Sequence, residues 1–335
     1  GTPTFLNLDQ LRRSFGMVTD HFRLDENAEL ALEVDPKVTT SEQIALLGEL
    51  GFNRLSLGVQ DFDPAVQDAI QRRQSFEATR ATVTEARQSG FRGINFDLIY
   101  GLPRQTPESW SRTLDQVVEL APDRLAIYGF AYLPELRPHQ KRLPVADMVA
   151  GPAKHRLFRQ AYERLVDAGY RPIGMDHFAR PEDELARAQA ERRLGRNFQG
   201  YTVRAARDTV AFGLTAISDL AGHLAQRVPQ MKRYEAALDA HRLPIQRGII
   251  RSPDDLERGA IIADLMCNFW ADLGDRKASF EEEWEALAPL ENEGLLRRNG
   301  TEIEVTPLGR FFVRNIAMVF DAYLRKNRRR FSQAV

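Results

Sequence analysis

The chain has 335 residues, 43% of them hydrophobic and 28% charged, with a formal net charge of -1. That size accommodates about two domains, and the near-neutral balance speaks against general nucleic-acid binding, which draws on a basic excess. No apolar stretch approaches the roughly 20 residues of a membrane span and the start does not read as a leader, so a cytoplasmic protein is the simplest reading. The first half alternates strand and helix patterns. Glu29–Asp35 is a short apolar run ending in carboxylates, and Thr39 with Glu42 forms a capping box ahead of Ile44, Leu47 and Leu50 at helical spacing. Gly51 closes that helix, and Arg54–Gln60 reads as the next strand. A helix over Phe76–Gln88 stops at Gly90, and Ile94, Phe96 and Leu98 alternate around Asp97 as a third strand. Thr106 is the expected N-cap and Pro107 the first residue of another helix, with Trp110, Leu114, Val117 and Val118 as its stripe. Pro122 then precedes a fourth strand, Arg124–Tyr128.

Short connections between such units predict an α/β fold with parallel strands, a sheet or barrel carrying helices outside. Polar residues near strand C-termini then gather at one mouth, and Glu33, Gln60 and Asp97 are placed to do so. Prolines 134, 138, 144 and 152 punctuate a loop ahead of a helix over 153–168. Beyond Arg251 the character changes. Ile261, Leu265, Phe269 and Leu273 form a helical stripe, Trp284, Leu287 and Leu290 another, and Glu302–Val305 a short strand. The expected division is 1–250 for the α/β domain and 251–335 for a small, mostly helical domain of winged-helix flavour.

Candidate chemistry is distributed. Gly1 and Thr2 open a small-residue stretch whose amides can approach an anion. Asp97 can accept hydrogen bonds from a ribose diol or an ammonium group, or serve as a turn carboxylate. Asp176–His177 suggests an acid–base or metal pair, yet neighbours on a strand face opposite ways. Arg180, Arg196 and Gln199 lie in polar loops where a guanidinium fork can hold carboxylates or simply be solvated. The single cysteine, Cys267, sits among helix-core residues and reads as an inert packed thiol. No metal site is expected within these residues. The basic tail Arg325–Arg330 reads as a solvated helix end.

Several stretches together resemble one family. Gly1-Thr2-Pro3-Thr4 is similar to the end of the glycine-rich motif of radical S-adenosylmethionine (SAM) porphyrinogen enzymes. Glu33-Val34-Asp35-Pro36, Phe52 to Phe62 and Asp97 to Pro103 match the same group. Gly174–Pro181 and Arg196–Thr202 resemble the oxygen-independent coproporphyrinogen III oxidases, also called coproporphyrinogen dehydrogenases. The resemblance runs over essentially the whole chain. It implies an incomplete radical SAM (β/α) barrel, two SAM molecules and a four-iron, four-sulfur cluster. It also implies oxidative decarboxylation of two propionates of coproporphyrinogen III to give protoporphyrinogen IX, with an electron donor such as flavodoxin and a monomeric enzyme.

Residue by residue, Gly1, Thr2, Glu33, Gln60, Arg72, Asp97, Ala131 and Ile217 match the family's SAM contacts. Arg180 and Arg196 are candidates for gripping substrate propionates, and no catalytic side chain is assigned. The family's cluster-binding cysteine triplet is expected ahead of Gly1, so the chain by itself is expected to be inactive. The alternative is a non-catalytic haem- or porphyrin-binding protein related to the haem chaperones.

Overall fold

The computed structural model describes residues 2–204, 206 and 208–326. Its contacts divide the chain into two compact units meeting at Ala186/Arg187. This differs from the 250/251 division expected from sequence. Residues 187–250 carry too little apolar periodicity to announce their side of the boundary, whereas the helical stripes after 251 are conspicuous.

In the first unit the elements run α1 (Leu8–Thr19), β1 (Ala31–Val34), α2 (Ser41–Glu49), β2 (Arg54–Gln60), α3 (Pro64–Ala69), α4 (Phe76–Gln88), β3 (Gly93–Tyr100), α5 (Pro107–Leu120), β4 (Arg124–Gly129), α6 (Gly151–Asp167), β5 (Arg171–Gly174) and β6 (His177–Ala179). Helix α7 (Glu184–Ala190) crosses into the second unit. The strands form one six-stranded sheet in the order β1-β2-β3-β4-β6-β5. β1 to β4 are parallel, as the alternation predicts, whereas β6 runs antiparallel to β4 and to β5.

The period of two sorts the side chains between faces. Leu55, Leu57, Ile94, Phe96, Leu98, Leu125 and Ile127 are buried against Ile44, Leu47, Val83, Trp110, Leu114 and Leu157. Each such side chain removed from water contributes roughly 1.5–3 kcal/mol. Trp110 is fully buried, and its indole N–H donates to the Leu157 carbonyl at 3.0 Å, joining α5 to α6.

The helix boundaries follow local chemistry. At α5, Thr106 and Ser109 exchange side-chain and backbone hydrogen bonds, Pro107 occupies the first turn, and Ala121 ends the helix at φ 51°. The α2 capping box lies one residue later than expected, at Thr40 and Gln43 rather than Thr39 and Glu42. Thr39 is otherwise engaged: its hydroxyl bonds the Asp35 carbonyl at 2.8 Å and meets the Thr4 hydroxyl, also at 2.8 Å.

The second unit comprises hairpin β7 (Gly195–Asn197)–β8 (Gly200–Thr202) and an antiparallel sheet of β9 (Ile217–Leu220), β10 (His223–Arg227) and β11 (Ile245–Ile250), with α8 (Met231–Asp239) between the last two. Then follow α9 (Pro253–Asn268), β12 (Trp270–Asp272), α10 (Glu281–Ala286), α11 (Ala288–Asn292), β13 (Leu296–Asn299), β14 (Glu302–Val305), α12 (Val313–Ala317) and α13 (Ala322–Lys326). β12, β14 and β13 form a small antiparallel sheet. The stripe through Phe269 and Leu273 is not one helix. Phe269 takes φ 55° and ends α9, and Leu273 follows β12. Cys267 is fully buried, and burial pushes its thiol up to about 12, in keeping with a packed side chain. No helix among the described residues is long and apolar enough to cross a membrane. The tail 327–335, with most of the basic run, lies outside the described residues.

Candidate cofactor site

The face of the first unit's sheet turned away from the helices is polar. Glu33, Ser56 and Asn95 lie abreast on β1, β2 and β3, and Gly58, Asp97, Ala126 and His177 lie abreast one step further along. Asn95 Nδ2 donates to Ser56 Oγ and to Asp97 Oδ1, both at 2.9 Å. Burial raises the Asp97 carboxyl above its ordinary value. Nearby Glu33 and Asp176 add to that rise, while the Asn95 bond and His177 oppose it. Three carboxylates therefore share one partly desolvated face.

Asp176 and His177 do meet, with Oδ1 and Nδ1 2.8 Å apart. The strand alternation that argued against the contact does not apply, because Asp176 lies in the β5–β6 turn and only His177 is in β6. Among the described residues no group of three or more His, Cys, Asp or Glu side chains is placed to hold a metal ion.

Arg72 approaches the same face from the segment after α3. Its Nη2 donates to the Gly58 carbonyl at 2.9 Å and lies 3.3 Å from Asp35 Oδ2, while its buried Nε has no partner among the described residues. Gly58 leaves room for this: a Cβ there would meet Gln60 Nε2 at 2.8 Å and Arg72 Nη2 at 3.3 Å. Gln60 ends β2 at φ 66° and pairs with Leu98 after a register shift. Asp97, expected near a strand end, is central in β3.

These groups fit SAM. The molecule carries one carboxylate, for which Arg72 offers an unused donor. It also carries an ammonium group and a ribose diol, for which Glu33, Gln60 and Asp97 offer acceptors. The iron–sulfur cluster does not fit the residues present. It needs several thiolates, and the chain has one cysteine, buried and with a raised pKa.

The other expected residues are placed as follows. Thr2 belongs to a segment tied to α2, where Gln43 Nε2 donates to the carbonyls of Thr4 at 2.9 Å and Leu6 at 2.7 Å. Ala131 follows β4, exposed, its carbonyl accepting from Gln140 at 3.0 Å. Ile217 opens β9, and Arg196 lies in β7 with its guanidinium 5.5 Å from the Tyr201 ring centre, both in the second unit. Gly1 lies outside the described residues.

Arg180 does not join the polar face. It sits where β4 begins, with Nε donating to the Pro122 carbonyl at 3.3 Å and its guanidinium stacked over Tyr170. β6 is antiparallel, so the residue after it is carried to the opposite end of the sheet. Sequence reasoning passed over Ser56 and Asn95, although a polar residue at every second position of an otherwise apolar strand was the available signal.

Residues 1–117 match the radical SAM superfamily model. The chain is 43% identical to an oxygen-independent coproporphyrinogen III oxidase of Pseudomonas aeruginosa, spanning 100% of this chain and 75% of that protein. It is 41% identical to the enzyme of that name from Escherichia coli, over 98% of this chain and 74% of the relative. The solved structure of the Escherichia coli coproporphyrinogen III oxidase, a radical SAM enzyme, superposes with a TM-score of 0.94, covering 96% of this chain and 76% of that one.

Proposed function

The chain belongs to the family of oxygen-independent coproporphyrinogen III oxidases, and on that premise we propose that it contributes the SAM-binding core of an enzyme of haem synthesis that converts two propionates of coproporphyrinogen III to vinyl groups. The observation that carries the site assignment is the Arg72 guanidinium, whose Nη2 lies against Gly58 and whose buried Nε has no partner among the described residues, on the face that also holds Asp97. When bound, SAM supplies one-electron oxidising chemistry toward a carbon–hydrogen bond of the substrate. Arg72 grips its carboxylate with the free Nε and the outer fork. Glu33, Gln60 and Asp97 accept from its ammonium group and ribose hydroxyls. Gly58 lets the Gln60 and Arg72 side chains close over β2 toward the ligand, and Thr2 presents backbone polar groups beside it. Ala131 supplies apolar surface for adenine or methionine; in the second unit Ile217 remains a candidate SAM contact and Arg196 a candidate for a substrate propionate. Two SAM molecules are used per substrate, one for each propionate, with electrons from a donor such as flavodoxin.

The test uses the complete protein, reconstituted with its cluster under anaerobic reducing conditions. Coproporphyrinogen III should yield protoporphyrinogen IX with two carbon dioxide released and two SAM consumed. Methionine formation without decarboxylation of the porphyrinogen would remove the substrate assignment. Tight tetrapyrrole binding with no turnover would favour the haem-binding alternative.

A further inference from the structure

Asp61, next to Gln60, is fully buried and faces no cation among the described residues. Its Oδ1 accepts from Thr113 Oγ1 at 2.6 Å and from the Asp63 amide at 2.7 Å; its Oδ2 accepts from Gln105 Nε2 at 2.6 Å. Burial is the chief influence on this carboxyl and raises its pKa. A buried carboxylate served only by neutral donors is costly, so a role beyond packing is expected of it.

Three threads lead from Asp61 to the site. The Asp61 amide donates to the Val59 carbonyl at 2.9 Å, closing a three-residue turn with Gln60 at φ 66°. Such turns are strained and persist only when their ends are held. Gln105, which donates to Asp61, also accepts from the Gly101 amide at 2.6 Å and donates to the Ile99 carbonyl at 3.1 Å, fixing the turn after β3. The Asp61 carbonyl accepts from Gln67 Nε2 at 2.9 Å. The same amide donates to the Gln74 carbonyl at 2.6 Å, and the Gln67 carbonyl accepts from the Arg72 amide at 2.9 Å.

We propose that Asp61 is a positioning residue that holds the Gln60 turn, the Gly101 turn and the Arg72 segment in one arrangement, so that the polar ends of β2 and β3 and the Arg72 guanidinium address the same ligand. Its consequence for SAM rests on the reading above; its role in the fold does not. The link is polar in one sense only. Oδ1 must accept from two donors, so an amide at position 61 would turn its NH2 group toward the Gln105 NH2 group. Flipping Gln105 to relieve that clash would set its NH2 group against the Gly101 amide and lose the Ile99 bond.

The deciding experiment is hydrogen exchange, read by mass spectrometry, on the complete protein and its Asp61→Asn and Gln105→Leu variants. Exchange in peptides covering 58–62 and 99–105 should rise roughly tenfold or more, the loss of one charge-assisted hydrogen bond, while α2 stays within twofold. The double variant should exchange no faster than the worse single one, because both changes cut the same link. Gln105→Leu leaves the Thr113 and Asp63 bonds in place, so the exchange of its 58–62 peptides decides the matter alone if Asp61→Asn does not fold. Unchanged 99–105 peptides, or equal acceleration throughout the first unit, would overturn the role. Equilibrium SAM binding on the same samples should weaken roughly tenfold. If the unsubstituted protein binds no SAM, the proposed function falls, and the exchange pattern still decides the part played by Asp61.

Discussion

The two ends of the first unit's sheet treat charge in opposite ways. Where β2 and β4 begin, Arg54 and Arg124 are matched by acids. Arg54 Nε lies 2.7 Å from Glu29, and Arg54 also pairs with Glu184. Arg124 makes bonds of 3.0 Å to both oxygens of Asp183 and one of 2.9 Å to Glu184. Toward the other end and on the polar face, Glu33, Asp97 and Asp176 crowd together, Asp97 is raised by burial, and Arg72 keeps a donor unused. One end pairs its guanidinium groups with acids; the other gathers like charges on one face, where the proposed ligand of mixed charge would balance them. In the reading proposed above, the ion pairs at the first end serve stability, while the gathering of carboxylates around Asp97 and the unused Arg72 donor serve binding.

Breaking the paired end should have the largest effect on stability. Asp183 is nearly buried, and Arg124→Ala removes its nearest cation and leaves it Arg54 Nη1 at 3.9 Å, so the change is expected to cost about 3 kcal/mol in urea unfolding. SAM affinity of the folded fraction should stay within twofold. A loss below about 1 kcal/mol would place this pair with exposed ones.

The other end should respond in the reverse sense. Asp97→Asn is expected to weaken equilibrium SAM binding by about ten- to a hundredfold, the value of a hydrogen bond to a charged group. Unaltered affinity would take Asp97 out of the site.

The same variant sharpens the contrast through pH. Because the folded-state pKa of Asp97 is raised, the folded protein holds this proton more tightly than the unfolded chain does. The group is neutral in its effect below the unfolded value of about 3.9 and destabilises the fold as pH rises through the folded value. Ligand-free Asp97→Asn should therefore melt higher than the parent at pH 7, with the gain fading toward pH 4. A gain that grew on acidification would contradict the sign of the shift. Glu33, Asp176, His177 and Asn95 face this carboxyl and remain in place in the variant.

The smallest effect is expected at Arg180. Its Nε and Nη2 donate to the Pro122 and Ala121 carbonyls, so Arg180→Ala should lower stability by about 1 kcal/mol. It should leave the KM for coproporphyrinogen III within twofold, and a tenfold rise would return Arg180 to the substrate.

Much of this was legible along the chain because it depends on neighbours in sequence. The Thr106–Pro107 start, the Phe76–Gln88 helix and the Arg54–Gln60 strand follow from capping chemistry and from periods of 3.6 and 2, which need no tertiary partner. The resemblance named Glu33, Gln60, Arg72 and Asp97, and the fold carries all four to one end or face of the first unit's sheet. The β5–β6 reversal was not legible. Its direction follows from the pairing of Phe178 with Leu125, and that pairing sent Arg180 away from the polar face while bringing Asp176 and His177 together.

Local pattern thus determined the element types and the parallel strand–helix order. The partners of buried groups were decided only in three dimensions. Asp61 reads in the chain as an ordinary acid after a strand. Its place as the hub between Thr113, Gln105 and Asp63 depends on residues up to 52 positions away, which only the closed fold brings within hydrogen-bond reach and out of water.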